Sequence, residues 1–168
     1  MTLRGANFPS GYRRRTRRGD DDHSYGAAPQ GGSSNVNVQV IADAAGRLVW
    51  ASPALPGSVH DLTAARTHGI IEALSRADVM TFADKGCQGA RGSVRTPFKR
   101  HRFRPKLSRR QKTVNRAHAR IRARGERAIA TLKTWKILNK LRCCPRRVTP
   151  MVQAILVLHH VETNRYPG

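Results

Sequence analysis

The stretch Val79-Met80-Thr81-Phe82-Ala83-Asp84-Lys85-Gly86 decides the fold. Val79 to Ala83 is a short apolar run, the pattern of a strand at the buried centre of a sheet. Asp84 follows at its C-terminal end, where open α/β sheets place their ligands. Gly86, Gly89 and Gly92 make the loop beyond it. Glu126, 42 positions further on, is the only acidic residue between Arg91 and Arg147, a stretch that holds 21 Lys and Arg. A lone carboxylate in so cationic a segment points to a divalent metal working on phosphate. Such chemistry with two Mg²⁺ (or Mn²⁺) ions needs several carboxylates within metal reach. Asp84 on a strand end and Glu126 on a packed helix can converge in that way. The plainer readings are a turn-forming Asp after a strand, and a solvated helix Glu paired with Arg122 one turn back.

Upstream, Asn35 to Val40 alternates strictly between polar residues and valine, which predicts a half-buried strand. Asp43-Ala44-Ala45-Gly46 supplies turn chemistry, and Arg47 to Ala51 reads as a second strand antiparallel to the first. Ser58 is the expected N-cap of a helix running to about Arg76, interrupted in its middle by Gly69. Downstream, residues 95–107 carry Pro97 and Pro105 and read as irregular. Ser108-Arg109-Arg110-Gln111 is a capping box that opens a long helix. Its apolar or small positions, Val114, Ala117, Ile121, Gly125, Ala128, Leu132 and Trp135, define one buried face. Thr149-Pro150 is the expected start of a last helix reaching about Asn164. Strand, strand, helix, strand, helix, helix makes the class α/β, a sheet covered by helices.

Composition bounds the rest. At 168 residues the chain fits one domain. Its formal charge of +22 and isoelectric point near 11.7 call for a polyanionic partner, with DNA the first expectation and no membrane. No apolar run is long enough to span a bilayer, and the basic N-terminus lacks the apolar core of a secretory signal. Cys87 and the adjacent Cys143-Cys144 offer neither zinc spacing nor an even count, so a reducing cytoplasm is the expected compartment. Residues 1–34 combine Gly, Ser, the Arg13–Arg18 cluster and Asp20-Asp21-Asp22 without apolar periodicity, and read as a disordered basic leader before a domain at 35–168.

The segments Asn37 to Asp43 and Ser52 to Asp61, then Ala83-Asp84-Lys85-Gly86, then Arg122-x-x-x-Glu126-Arg127 with Leu132-Lys133, resemble the DDE transposases of bacterial insertion sequences. The nearest group is the Harbinger-like DDE endonuclease superfamily, and the likeness spans about residues 35–160. It implies an RNase H-like mixed sheet flanked by helices, and three acidic residues that bind two metal ions, cut DNA and join the cut end to a target. Asp84 then corresponds to the second acidic residue and Glu126 to the third. The first belongs on the opening strand, near Ser10, where no Asp or Glu stands. The chain therefore reads as a transposase remnant whose first strand is missing and whose catalytic set is incomplete. The family's Tyr after the second Asp is replaced here by Cys87. His60-Asp61 also recurs in the family. Physically, Asp61 suits a positive helix end, with a supporting role at the site as the other reading.

The expected function is that of a DDE endonuclease domain. Asp84 and Glu126 would be its metal ligands, and Arg116, Arg120, Arg122, Arg127 and Lys133 its phosphate contacts. A homodimer on DNA in the nucleoid is a possible arrangement. The rival is a non-catalytic basic nucleic-acid-binding protein in which positive charge does all the work.

Overall fold

Six strands form one sheet in a computed structural model that describes residues 1–9, 35–100, 103, 106–139, 141 and 144–165. The strands are β1 (Thr2–Phe8), β2 (Val36–Ala42), β3 (Leu48–Ala51), β4 (Leu55–Pro56), β5 (Thr81–Ala83) and β6 (Val94–Arg95). Their order is β3-β2-β1-β5-β6, with β4 also paired to β2. β2 is antiparallel to both its neighbours, β1 and β3, while β1 runs parallel to β5 and β5 to β6. This is the mixed, RNase H-like arrangement.

β1 corrects the expectation of a missing first strand and of a disordered leader beginning at residue 1. Thr2–Phe8 is a full strand, paired along its whole length with β2, from Thr2 opposite Ala42 to Phe8 opposite Val36. Its side chains do not alternate cleanly, because Arg4 and Asn7 interrupt the apolar Leu3, Ala6 and Phe8. What makes it a strand is pairing on both sides, a tertiary cause absent from local pattern. The Arg13–Arg18 cluster and Asp20–Asp22 lie outside the described residues, as does Cys143.

The helices are α1 (Asp61–Thr67), α2 (Ile70–Arg76), α3 (Arg109–Thr134), α4 (Lys136–Asn139) and α5 (Pro145–Arg165). They cover both faces of the sheet. On one face Ala6, Phe8, Val36, Val38, Val40 and Leu48 pack against Ala128 and Leu132 of α3 and Val148, Val152 and Ile155 of α5. On the other, Leu3, Ile41, Ala83 and Val94 pack against Ala65, Ile70, Ile71 and Leu74 of α1 and α2. β2 is consequently buried on both sides, not half-buried as its alternation predicts. Its polar face is covered by α1 rather than by water.

Several boundaries differ from expectation for local reasons. The helix expected at 58–76 is two, split where Gly69 takes φ of 62°, and its cap is His60 rather than Ser58. The Ser108–Gln111 capping box is formed in both directions and starts a 26-residue helix. Along α3 the buried positions are His118, Gly125, Ala128 and Leu132, whereas Val114 and Ala117 are exposed. The first turns of α3 lie against the β6 edge and the segment after it, where the Asn115 amide pairs with the Phe98 backbone. There His118 meets the Arg95 carbonyl at 3.2 Å and the Phe82 ring edge-on at 5.4 Å. The last helix starts at Pro145 and carries Pro150 inside it, so the Pro that reads as a start lies beyond the first turn. Among the described residues no helix is long and apolar enough to cross a membrane.

Gly125 sets how closely α3 approaches the sheet. A Cβ there would lie 2.6 Å from the Thr2 hydroxyl and 3.1 Å from the Thr2 Cβ, on a buried, β-branched side chain with little freedom to yield. Gly125→Ala should therefore destabilise the fold by about 1–3 kcal/mol through overpacking. Helix propensity alone would favour alanine by about 1 kcal/mol. Denaturant unfolding measures the sign, and an alanine variant as stable as the parent would contradict the close approach.

Candidate active site

The site begins with strand register. Thr2 pairs with Phe82 and Leu3 with Ala83, so the next step of the parallel ladder sets Arg4 beside Asp84. The ladder ends there because Asp84 leaves the strand and caps a 3₁₀ turn at Lys85–Cys87, its Oδ1 accepting from the Gly86 amide at 2.8 Å. Its other oxygen is 3.8 Å from the Arg4 guanidinium. Glu126 arrives from above on α3, held over β1 by the bare Gly125 beside it, and its Oε1 accepts from Arg4 Nη1 at 2.5 Å. Arg122, one turn back on α3, stands 4.0 Å from the same oxygen.

Asp84 and Glu126 are thus brought together, and what lies between them is the guanidinium of Arg4. Arg4 and Asp84 are about one-fifth exposed, at 19% and 22%, while Glu126 is 56% exposed. Two guanidiniums and two carboxylates cancel in formal charge. A plain surface pairing of Glu126 with Arg122 is the weaker of its two contacts.

The other face of β1 carries a second carboxylate system. Asp61, at the first turn of α1, accepts from Asn37 Nδ2 at 2.9 Å and from Gln39 Nε2 at 3.4 Å. Gln39 in turn donates to Asn37 Oδ1 at 2.9 Å. The Asp61 carboxylate fills the space above Gly5, where a Cβ would lie 2.1 Å from Oδ1, and reaches Gly86, where one would lie 2.6 Å from Oδ2. The N-cap residue of that helix, His60, makes no side-chain capping bond. Asp61 therefore ties α1 to β2 and to the loop after Asp84. His60 is exposed at the helix cap.

The residues present do not fit two divalent ions. Among the described residues, no three His, Cys, Asp or Glu side chains gather into a metal-holding group. A dication beside Asp84 and Glu126 would also sit against Arg4 and Arg122. Unit charges 4 Å apart near a protein surface interact by about 4 kcal/mol, and a divalent ion doubles that against each cation. Asp84 stands directly after β5 and Glu126 lies on α3. Arg4, Gly5, Asn37 and Gln39 were not foreseen. Only the two-sided pairing of β1 reveals them.

The cationic set divides. Arg116, Arg120, Arg127 and Lys133 are exposed along α3, whereas Arg122 is half-buried beside Glu126. Lys133 borders an open cleft of about 400 Å³ between β1 and α3, which Arg4, Asn7 and Glu126 also line. Arg124 donates to the Ala44 carbonyl at 2.8 Å and braces the β2–β3 turn.

Burial, with the nearby charges of Asp84 and Asp61, pushes the Cys87 thiol up to about 12. At pH 8 it is a neutral thiol, and only the thiolate is a good nucleophile. Peptide mapping after iodoacetamide treatment at pH 8 should find Cys87 unmodified in the folded protein and modified once denaturant is added. Rapid labelling of Cys87 in the native state would contradict its placement.

Comparison with protein families matches residues 23–160 to the family described as DDE superfamily endonuclease. Among curated proteins, the chain is similar to one named "Putative transposase for insertion sequence element IS112" from Streptomyces albus G. The two are 34% identical over 122 residues, which cover 72% of this chain and 46% of that protein. The chain thus spans about half the length of the curated relative. No solved structure matches it.

Proposed function

This chain belongs to the DDE superfamily endonucleases, and from that premise we propose that it is the DNA-handling core of an insertion-sequence transposase whose cutting centre is neutralised by its own arginine. The observation that carries this reading is the meeting of Asp84, from a strand end, with Glu126, from a packed helix, on one side chain of β1. A protein that merely binds polyanions has no use for that convergence. Asp84 and Glu126 are the second and third acidic residues of the family's set. In the superfamily, divalent ions supply the chemistry that breaks the phosphodiester. Here the first acidic position is filled by Arg4, and the chain as it stands cuts DNA poorly or not at all.

What remains to the chain is binding. Arg116, Arg120, Arg127 and Lys133 neutralise backbone phosphates along the outer side of α3, and the β1–α3 cleft lies next to that row. Arg122 serves the site instead, as a partner of Glu126. Asp61 supports the site from below by fixing α1 against β2, and His60 remains free to face DNA from the helix cap. Binding to the nucleoid in the cytoplasm, as a monomer or as a homodimer on DNA, fits this role.

The test is duplex binding across a salt series. Affinity should depend little on sequence, and log K should fall linearly with log salt at about 0.9 per neutralised phosphate. Replacing Arg120 and Arg127 with alanine should lower that slope by roughly 1–2. Supercoiled plasmid incubated with Mg²⁺ or Mn²⁺ should stay intact. Salt-independent binding would contradict the phosphate contacts, and robust nicking would contradict the neutralised centre.

A further inference from the structure

The carboxylates at the end of β5 and on α3 form an anionic pair that a sheet of this kind must neutralise, and the neutralising group is built into the chain. Arg4 leaves β1 on the α3 side, since its Cδ lies 3.6 Å from where a Cβ on Gly125 would stand. The next residue, Gly5, faces Asp61 on the opposite side, as strand alternation requires. Any side chain at position 4 is therefore aimed at Asp84 and Glu126. A short acidic one would add a third carboxylate to the two already there, and would empty the volume now filled by the arginine stem and guanidinium.

We infer that Arg4 is a resident cation standing in for a divalent metal ion, and that this one position decides whether the site is closed to Mn²⁺ and Mg²⁺ or open to them. Strand register and side-chain direction set position 4 beside Asp84 and under Glu126, so an acidic side chain there would face both carboxylates. Charge makes the exchange an alternative: either a guanidinium lies between Asp84 and Glu126, or a hard cation does, and the two exclude each other by repulsion. Oxygen ligands at roughly 2.0–2.1 Å suit Mg²⁺, and a third carboxylate supplies the ligand count that two cannot. The inference rests on the geometry around Arg4 and not on DNA binding, so a chain that bound no DNA would still carry it.

Thermal unfolding with and without Mn²⁺ tests it, with circular dichroism as the check on folding. The natural chain should show no Mn²⁺-dependent change in Tm. Arg4→Asp should be destabilised without metal, because three carboxylates then face one another. Its Tm should rise by roughly 5–10 °C when Mn²⁺ is about 100-fold above its Kd. That rise should disappear when Asp84→Asn or Glu126→Gln is added. A folded Arg4→Asp chain indifferent to Mn²⁺ overturns the inference. So does a natural chain whose Mn²⁺ stabilisation is lost with Asp84→Asn. If Arg4→Asp fails to fold even with Mn²⁺, Arg4→Asn removes the cation and keeps one oxygen ligand. A smaller Mn²⁺-dependent rise in that variant supports the inference, and none overturns it. In every arm, DNA affinity measured without metal reports separately on the binding role.

Discussion

A guanidinium on the middle strand of a sheet cannot discharge itself, so the structure must answer it where it stands. β1 is that middle strand, flanked by β2 on one side and β5 on the other. Arg4 is about four-fifths buried there. Burying an unpaired charge costs far more than a single fold can absorb, so its partners must arrive by construction. Asp84 comes from the end of β5, one residue beyond the last register pair, and Glu126 from α3, lowered onto β1 at Gly125. Strand order, helix approach and the early end of β5 all serve that one neutralisation. Because Glu126 is more than half exposed, its arm is screened by water, and Asp84 is the more enclosed partner.

The opposite face of the same strand obeys a different rule. There the side chains of Asn37 and Gln39 are buried, and Asp61 accepts from both amide nitrogens, while the Gln39 Oε1 is left without a partner. The result is an ion cluster around Arg4 on one face of β1 and an amide–carboxylate network around Asp61 on the other, and the two meet at Gly86, where a Cβ would lie 2.6 Å from Asp61 Oδ2 and 3.1 Å from Asp84 Oδ1. Gly5 is the hinge of this layout. Its missing side chain admits Asp61, while its neighbour Arg4 turns away to Asp84. Cys87 lies between the two systems, which is why burial and both carboxylates act on its thiol together.

The legible parts of this fold were those whose signals are local. The β2–β3 hairpin, the buried strand before Asp84 and the capping box of α3 all follow from spacing and residue type. The expected RNase H-like mixed sheet is the one observed. The illegible parts depend on distant partners. β1 has a Gly and two polar residues in its middle, and only burial between β2 and β5 makes it a strand. Asn37 and Gln39 read as solvent-facing because nothing near them announces that Asp61 will cover them. Pro150 reads as a helix start because the sequence does not reveal that a turn precedes it. Arg4 could be found only by asking which residue the parallel register sets beside Asp84, and that register belongs to the structure.

The central claim is that Arg4 and the carboxylate pair are energetically one unit. A double-mutant cycle measures this most directly, with Arg4→Gln as one arm and Asp84→Asn combined with Glu126→Gln as the other, each followed by denaturant unfolding. Arg4→Gln should be costly while the carboxylates are present and nearly neutral once they are gone. The coupling energy should be about 1–3 kcal/mol. Effects that simply add, to within about 0.3–0.5 kcal/mol, would mean that Arg4 and the pair are independent and would contradict the account.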